Sequence, residues 1–382
     1  MSIAFFLLLQ TTTKRMCNGQ MCVQTIPLFR CRFCIALLIF AFFSGVRWDV
    51  GIDHLSYLSE YFSLQKKGFT RREDFEVGYI AFQKLLVSLQ MPFFVYFGLI
   101  AALQIFLAST YFKDQRYLLA FYWVLIMLGG DFFSWMNGMR QALAGAGLLC
   151  VLALTLEKKQ WFVFCVCAYG LSFIHKSAIL MMPLCLLFYV KLEKIMINRY
   201  AQFAVYFSAL AVSSMSVWTN LIGLVDTLFQ FIGFGERFNS NLLENLEART
   251  MNFGGRRILF MLVDLILITY SPILRKAYPT RKFGFAYLMF IVYYVLQPLF
   301  ITSLVFSRIV NYFYPFRSIV CAYLLYYLFR IRRTANSIFC GVVIFTIVCL
   351  YMLVSLYLDK GGHTSCMRYM FFWNHLNTFI AL

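Results

Sequence analysis

The sequence predicts an all-α integral membrane protein with about eleven transmembrane helices. Three observations carry that expectation. The chain has 382 residues, of which 62% are hydrophobic and 13% charged, and its mean hydropathy is +0.75. A soluble globule of this size runs out of polar residues before its surface is covered. Apolar runs near the length needed to cross a bilayer recur along the chain. Basic residues cluster in alternate loops between those runs. Together these exclude a nucleic-acid binder, a secreted disulfide scaffold and a disordered protein. Phe 44 and Tyr 24 suit a chain rich in lipid-facing and interfacial positions.

Taken in order, the expected spans are 33–46 (short), 92–112, 117–136, 138–156, 161–174, 177–190, 200–222, 258–274, 283–306, 309–329 and 336–357. Residues 161–190 read either as two spans or as one broken hairpin. Segment 77–90 is amphipathic and too polar to cross alone, which places it at the outer interface or in a re-entrant helix. A single transmembrane helical domain is therefore expected over 26–357, with long outer loops near 47–91 and 223–257. Residues 358–382 form an extracytoplasmic tail. Residues 1–25 are set aside, because MSIAFFLLLQ lacks the basic start of a signal peptide.

Net charge is +18, and its placement carries the information. Lys14, Arg15, Arg30 and Arg32 precede the first span. Lys113/Arg116, Lys158/Lys159, Lys191/Lys194/Arg199, Arg275/Lys276/Arg281/Lys282 and Arg330/Arg332/Arg333 follow in alternate loops, diluted by Asp114, Glu157 and Glu193. With alternating spans, all of these lie on one side, and the positive-inside rule makes that side cytoplasmic. The amino terminus is expected inside and the carboxyl terminus outside. The 12 cysteines show no zinc-ligand spacing, and the Cys31/Cys34 pair opens a span rather than a redox fold, so they read as small hydrophobes.

Ionisable residues are costly in hydrocarbon and ask for a reason. Five groups gather on the outer half. The first runs from Arg47 and Asp49 through Gly51, Asp53 and His54 to Tyr57 and Glu60; local Arg–Asp pairing in a solvated loop is the plain alternative. The second is Glu76-Val77-Gly78-Tyr79, where a carboxylate also suits helix capping. The third is Asn137-Gly138-Met139-Arg140-Gln141, followed by small residues through Gly147. Here Asn137 can cap the helix, and an Arg fork beside a helix amino end suits a diphosphate; snorkelling is the plain alternative. The fourth is His175-Lys176-Ser177-Ala178, which lacks the elbow of a serine nucleophile. The fifth is Arg308, Asn311 and Tyr312, spaced i, i+3, i+4 on one helix face, with Pro315 beyond. His54, His175, His363 and His375 have no metal-binding spacing. Asp264 and Arg317 lie deeper.

The order of these groups resembles the EpsG family of bacterial exopolysaccharide proteins, within the Wzy-type polymerases. The resemblance runs through Arg47…Gly51…Asp53…Tyr57, Glu76-Val77-Gly78-Tyr79, Asn137…Arg140-Gln141…Ala144, His175-Lys176-Ser177-Ala178 and Arg308…Tyr312-Phe313. Val77 stands where the family pattern has Pro.

The resemblance implies a glycosyltransferase-C-like helical bundle in the bacterial cytoplasmic (inner) membrane. It implies a metal-independent, cofactor-free enzyme that polymerises oligosaccharide repeat units carried on undecaprenyl diphosphate, on the outer side. Arg47, Arg140 and Arg308 are assigned to the diphosphate, with Arg47 alternatively pairing with Asp53. Asp53, Glu76 and His175 are candidates to orient or deprotonate the acceptor hydroxyl. Tyr57, Tyr79, Asn137, Gln141 and Tyr312 are assigned to sugar binding or positioning. Expected partners are the lipid-linked substrate, membrane lipid, a chain-length regulator and a flippase, and no nucleic acid. An O-antigen-type ligase, a flippase or ion-coupled carrier, and a noncatalytic export partner are the competing functions.

Overall fold

The computed structural model describes residues 15–17, 20–22, 31–51, 53–68, 75–192, 198–215, 255–300, 303–358 and 370–375, with a few positions between 218 and 224. The expected outer loop at 223–257 lies almost wholly outside them. The described chain is an all-α membrane protein, with only two short antiparallel pairs, 15–17 with 20–22 and 47–48 with 370–371. It divides into two compact units, one formed by Met1–Tyr189 with Met352–Leu382 and the other by Val190–Tyr351.

The first unit opens with α1 (Cys31–Gly45), followed by α2 (His54–Lys67), α3 (Val77–Ser88) and α4 (Phe93–Thr110). Then come α5 (Leu119–Leu128), α6 (Asp131–Asn137), α7 (Met139–Thr155), α8 (Trp161–Ser172) and a 3-10 run over Lys176–Phe188. α4 packs on α1 and on α7, and α8 joins α7 to the 3-10 run. Gly98 lets α1 and α4 approach closely, since a Cβ there would sit 3.0 Å from the Ala41 carbonyl oxygen.

The outer segment 47–91 carries two helices among its described residues, α2 and, over the amphipathic run 77–90, α3. α2 buries His54, Tyr57, Leu58, Glu60, Tyr61, Ser63 and Leu64. With Phe75, Tyr79, Tyr96 and Phe97 it builds a largely aromatic core. Tyr61 stacks on Tyr96 with ring centroids 4.6 Å apart. The tail contributes as well: Phe372 N–H donates to the Val46 carbonyl (3.0 Å) and its ring stacks on Phe94.

The second unit holds α9 (Arg199–Ser213), α10 (Gly255–Ala277), α11 (Arg281–Phe300), α12 (Leu304–Val310), α13 (Tyr314–Tyr326) and most of α14 (Ala335–Leu358). α11 packs on α9 and α13, and α10 on both of those. Arg317 Nε donates to Asp264 Oδ1 at 2.7 Å and Arg317 Nη2 to the Phe260 carbonyl at 2.9 Å. The guanidinium also lies 3.7 Å from the Phe260 ring centroid. The two deep charges noted in the sequence thus neutralise each other.

Eleven spans are not confirmed. Among the described residues four helices are long and apolar enough to cross a membrane: Phe93–Thr110, Arg257–Ala277, Arg281–Phe300 and Ala335–Ser355. A fifth is counted if Arg116–Leu128 and Asp131–Asn137, bent by 64° at their break, form one span. Helices or 3-10 runs do occupy the other expected places, but they are shorter. The reasons are local. Gly130 adopts φ +84° and breaks the run 117–136. The run 283–306 ends at Phe300, where Pro298 enters the last turn and Ser303 caps a new helix through Phe306 N–H at 3.0 Å.

The buried pair in the second unit makes a first prediction. Removing one partner leaves an uncompensated charge, whereas removing both does not. Arg317→Met alone is expected to lower the melting temperature of the detergent-solubilised protein strongly, corresponding to roughly 3–5 kcal/mol. Asp264→Leu combined with Arg317→Met is expected to recover most of that loss. Melting curves of the three proteins decide it, and equal losses in the single and double variants contradict the neutralising role.

Candidate functional site

The first turn of α3, the first turn of α7 and the junction between α8 and the 3-10 run meet at Glu76. Its carboxylate accepts from the Arg140 guanidinium, from Lys176 N–H at 3.0 Å, and pairs with His175 Nδ1 at 3.1 Å. Gly78 makes the meeting possible. A Cβ there would stand 2.7 Å from the Phe173 carbonyl oxygen, and Tyr79 N–H donates to that same oxygen at 3.2 Å. Any larger residue holds α3 off the junction.

Glu76 occupies the N-cap position of α3 but makes no side-chain cap bond. Its carboxylate is committed to the cluster, so the capping alternative does not describe it. Arg140 does not snorkel: its side chain is 14% exposed and its guanidinium lies 4.1 Å from the Phe75 ring centroid and 5.9 Å from that of Tyr79. The Tyr57 hydroxyl also hydrogen-bonds Arg140. Burial alone would raise the Glu76 carboxyl. The His175 hydrogen bond, the Arg140 charge and the Lys176 N–H outweigh it and bring it down to about 2. Glu76 is therefore a fixed anion at neutral pH. Facing a carboxylate, His175 donates from Nδ1, which leaves the lone pair of the neutral ring on Nε2.

Asn137 does not cap α7. Gly138 intervenes as the N-cap residue without a side-chain bond, because Asn137 still belongs to α6. Its Oδ1 instead accepts from Asp53 N–H at 3.0 Å and packs against Gly51, whose φ of +92° only glycine adopts readily. Asp53 sits half-buried at the N-cap of α2. Gln141 follows Arg140 along α7, partly buried. Arg47 is fully buried, with Nε donating to His54 Nδ1 at 3.2 Å and Nη2 lying 3.3 Å from Met139 Sδ.

Tyr57, Tyr79, Asp53, Glu76, Asn137, Arg140 and His175 thus share one neighbourhood of the first unit. Arg308 and Tyr312 belong to the second unit. They do not sit on one helix face: α12 ends at Val310, Asn311–Phe313 form a turn, and α13 restarts at Tyr314 with Pro315 in its first turn. Arg308 is exposed and Tyr312 buried.

Three contributors escaped the sequence reading. Phe75 carries the guanidinium, and its only signal is an aromatic placed directly before the Glu76 motif. Lys176 acts through its backbone N–H, foreshadowed only by the helix start at His175-Lys176-Ser177. Tyr96 hydrogen-bonds the Tyr79 hydroxyl, with Gln83 Nε2 donating to Tyr96 at 3.0 Å. Nothing in the apolar run 92–112 marks Tyr96 out.

The pH dependence of stability follows from two groups. Burial, then the Arg47 charge, lowers His54 from 6.5 to about 2. The folded state binds this proton less well than the unfolded chain. The stabilisation is complete above pH 6.5 and is lost progressively as pH falls below it, by up to about 1.4 kcal/mol per unit. Glu76, lowered from 4.5, loses its contribution only below pH 4.5. His54→Asn, which keeps an acceptor for Arg47, is expected to flatten the melting-temperature decline between pH 6.5 and 4.5. An unchanged slope in the variant contradicts the assignment.

The EpsG family is the family whose model matches the chain, over residues 31–371. No curated protein and no solved structure matches it.

Proposed function

We propose a reaction for this chain, which belongs to the EpsG family and so to a family of multi-pass, polysaccharide polymerase-like glycosyltransferases. It polymerises oligosaccharide repeat units carried on undecaprenyl diphosphate into capsular or exopolysaccharide. The reaction takes place on the outer side of the cytoplasmic membrane, and the basic loops with the amino terminus face the cytoplasm. A chain-length regulator and a flippase are its expected partners.

The observation that carries this reading is the cluster of Glu76, Arg140 and His175 where three elements meet. A hydroxyl of the acceptor saccharide attacks the anomeric carbon of the donor chain. The bond from that carbon to the diphosphate oxygen breaks, and the lipid diphosphate leaves with the electron pair. Its growing negative charge needs fixed positive charge in a poorly solvated place. The Arg140 guanidinium supplies it, with five N–H donors of which Glu76 engages part. The hydroxyl proton passes to His175 Nε2. Glu76 holds the ring in the tautomer that makes this possible and stabilises the imidazolium that results. At a pKa of about 2 Glu76 is too weak a base for the transfer itself. Gln141, partly buried beside Arg140, lines the approach of the sugars; Tyr57 and Tyr79 are buried in the aromatic core and act on the sugars only through the guanidinium they support, and Asp53 and Asn137 hold the neighbouring turn.

The ligase reading shares the donor and this chemistry, and differs only in the acceptor. A carrier would use deep charges, and Asp264 and Arg317 are engaged with each other.

Arg140→Lys keeps the charge and loses the planar fork. We expect a drop of at least tenfold in polymer formed from a synthetic lipid-linked repeat unit by the purified protein, with shorter products. Undiminished product length rules out the diphosphate role. The same assay with EDTA tests the metal-free step. Activity is expected to persist, and a loss restored by a divalent ion would overturn that part of the proposal.

A further inference from the structure

Arg140 stands at the second position of a helix whose predecessor stops one residue earlier. α6 ends at Asn137, Gly138 takes φ −85° and ψ +55°, and α7 begins at Met139. No continuous helix fixes the direction of Arg140, so whatever holds the break sets it. Two buried polar side chains reach the break. Gln104, 1% exposed in the middle of α4, donates from Nε2 to the Met139 carbonyl at 3.0 Å and lies 3.5 Å from the Trp135 carbonyl. One amide thereby bridges the last turn of α6 and the first residue of α7. Arg47 approaches the same residue from the other side, with Nη2 at the Met139 sulfur, and its guanidinium lies 5.1 Å from the ring centroid of Phe97, also on α4. Met139 is itself buried.

We propose that Gln104, seconded by Arg47, is a positioning residue that acts on Arg140 through Met139. This rests on the role given to Arg140 above and moves Arg47 from the substrate to the scaffold. A glutamine here does what an apolar residue of equal length cannot: its one amide ties the Met139 carbonyl, at the start of α7, to the Trp135 carbonyl in the last turn of α6, where helical N–H partners run out. Losing the amide frees the junction to rotate, and the guanidinium of the next residue loses its aim at Glu76 and the Phe75 ring.

Gln104→Met keeps the length and removes the donor. The first readout needs no substrate. Phenylglyoxal labelling of Arg140, followed by peptide mass spectrometry on the full chain in detergent, is expected to quicken at least threefold in Gln104→Met. It should stay within twofold of the parent in Gln202→Met, which cuts a buried amide in the second unit. Unchanged labelling of folded Gln104→Met overturns the proposal whatever reaction the protein catalyses. The second readout is a double-mutant cycle in the lipid-linked repeat-unit assay. If Gln104 acts through Arg140, its substitution costs tenfold or more in the parent and less than twofold in Arg140→Lys. Costs that multiply independently contradict it. Loss of all activity in the parent with quickened labelling leaves the positioning role standing and removes the reaction. Should Gln104→Met fail to fold, Gln104→Asn, which shortens the reach by one methylene, is read by the same labelling.

Discussion

The site depends on the satisfaction of one buried carboxylate. An anion removed from water is stable only if its lone pairs are filled by donors of good geometry. Glu76 draws those donors from a guanidinium on α7, an imidazole at the α8 junction and a backbone N–H at the start of the 3-10 run. None of these is a neighbour in the chain. The demand of a single charge therefore fastens three elements together, and Gly78 supplies the close approach that lets the third reach.

The two ion pairs differ in their surroundings. Asp264 and Arg317 are enclosed by helix interiors, with a main-chain carbonyl and an aromatic ring completing the shell. That arrangement neutralises charge within a bundle and leaves little for a ligand. Glu76 and Arg140 stand at helix starts, beside a histidine that the carboxylate orients, with 14% of the Arg140 side chain and 12% of His175 still reached by solvent. Fixed charge and a carboxylate-oriented imidazole stand side by side there. A polymerase of lipid-linked saccharides needs that combination, because it must stabilise a departing diphosphate while removing a proton from a hydroxyl.

The aromatic content serves both tasks. In α8 and α14 it faces outward, as with Phe162, Tyr169, Phe339 and Tyr357, where lipid is the solvent. Around α2, α3 and α4 it turns inward, and Tyr57, Phe75, Tyr79 and Tyr96 form the rigid floor on which the guanidinium rests. Residues of the outer segment 47–91 thereby pack with α4 in one core.

The sequence alone determined the membrane-embedded helical class, because composition and the recurrence of apolar runs are properties of residues whatever they touch. It also marked Glu76, Arg140 and His175, since ionisable groups beside apolar runs stand out without knowledge of their partners. Only the tertiary structure decided how these residues combine. The pairing of Glu76 with Arg140 spans 64 positions and that with His175 spans 99, and no local pattern encodes such a closure. The structure moved Asn137 from capping its own helix to holding Asp53, placed Arg47 in the interior and split the expected face of Arg308, Asn311 and Tyr312. Among the described residues four or five helices reach spanning length, so the expected eleven spans are not confirmed. Hydropathy counts how many apolar residues follow one another, whereas a helix lasts only as long as its backbone bonds continue, and those stop at Gly130, Gly138 and Phe300 for reasons of geometry that hydrophobicity does not record.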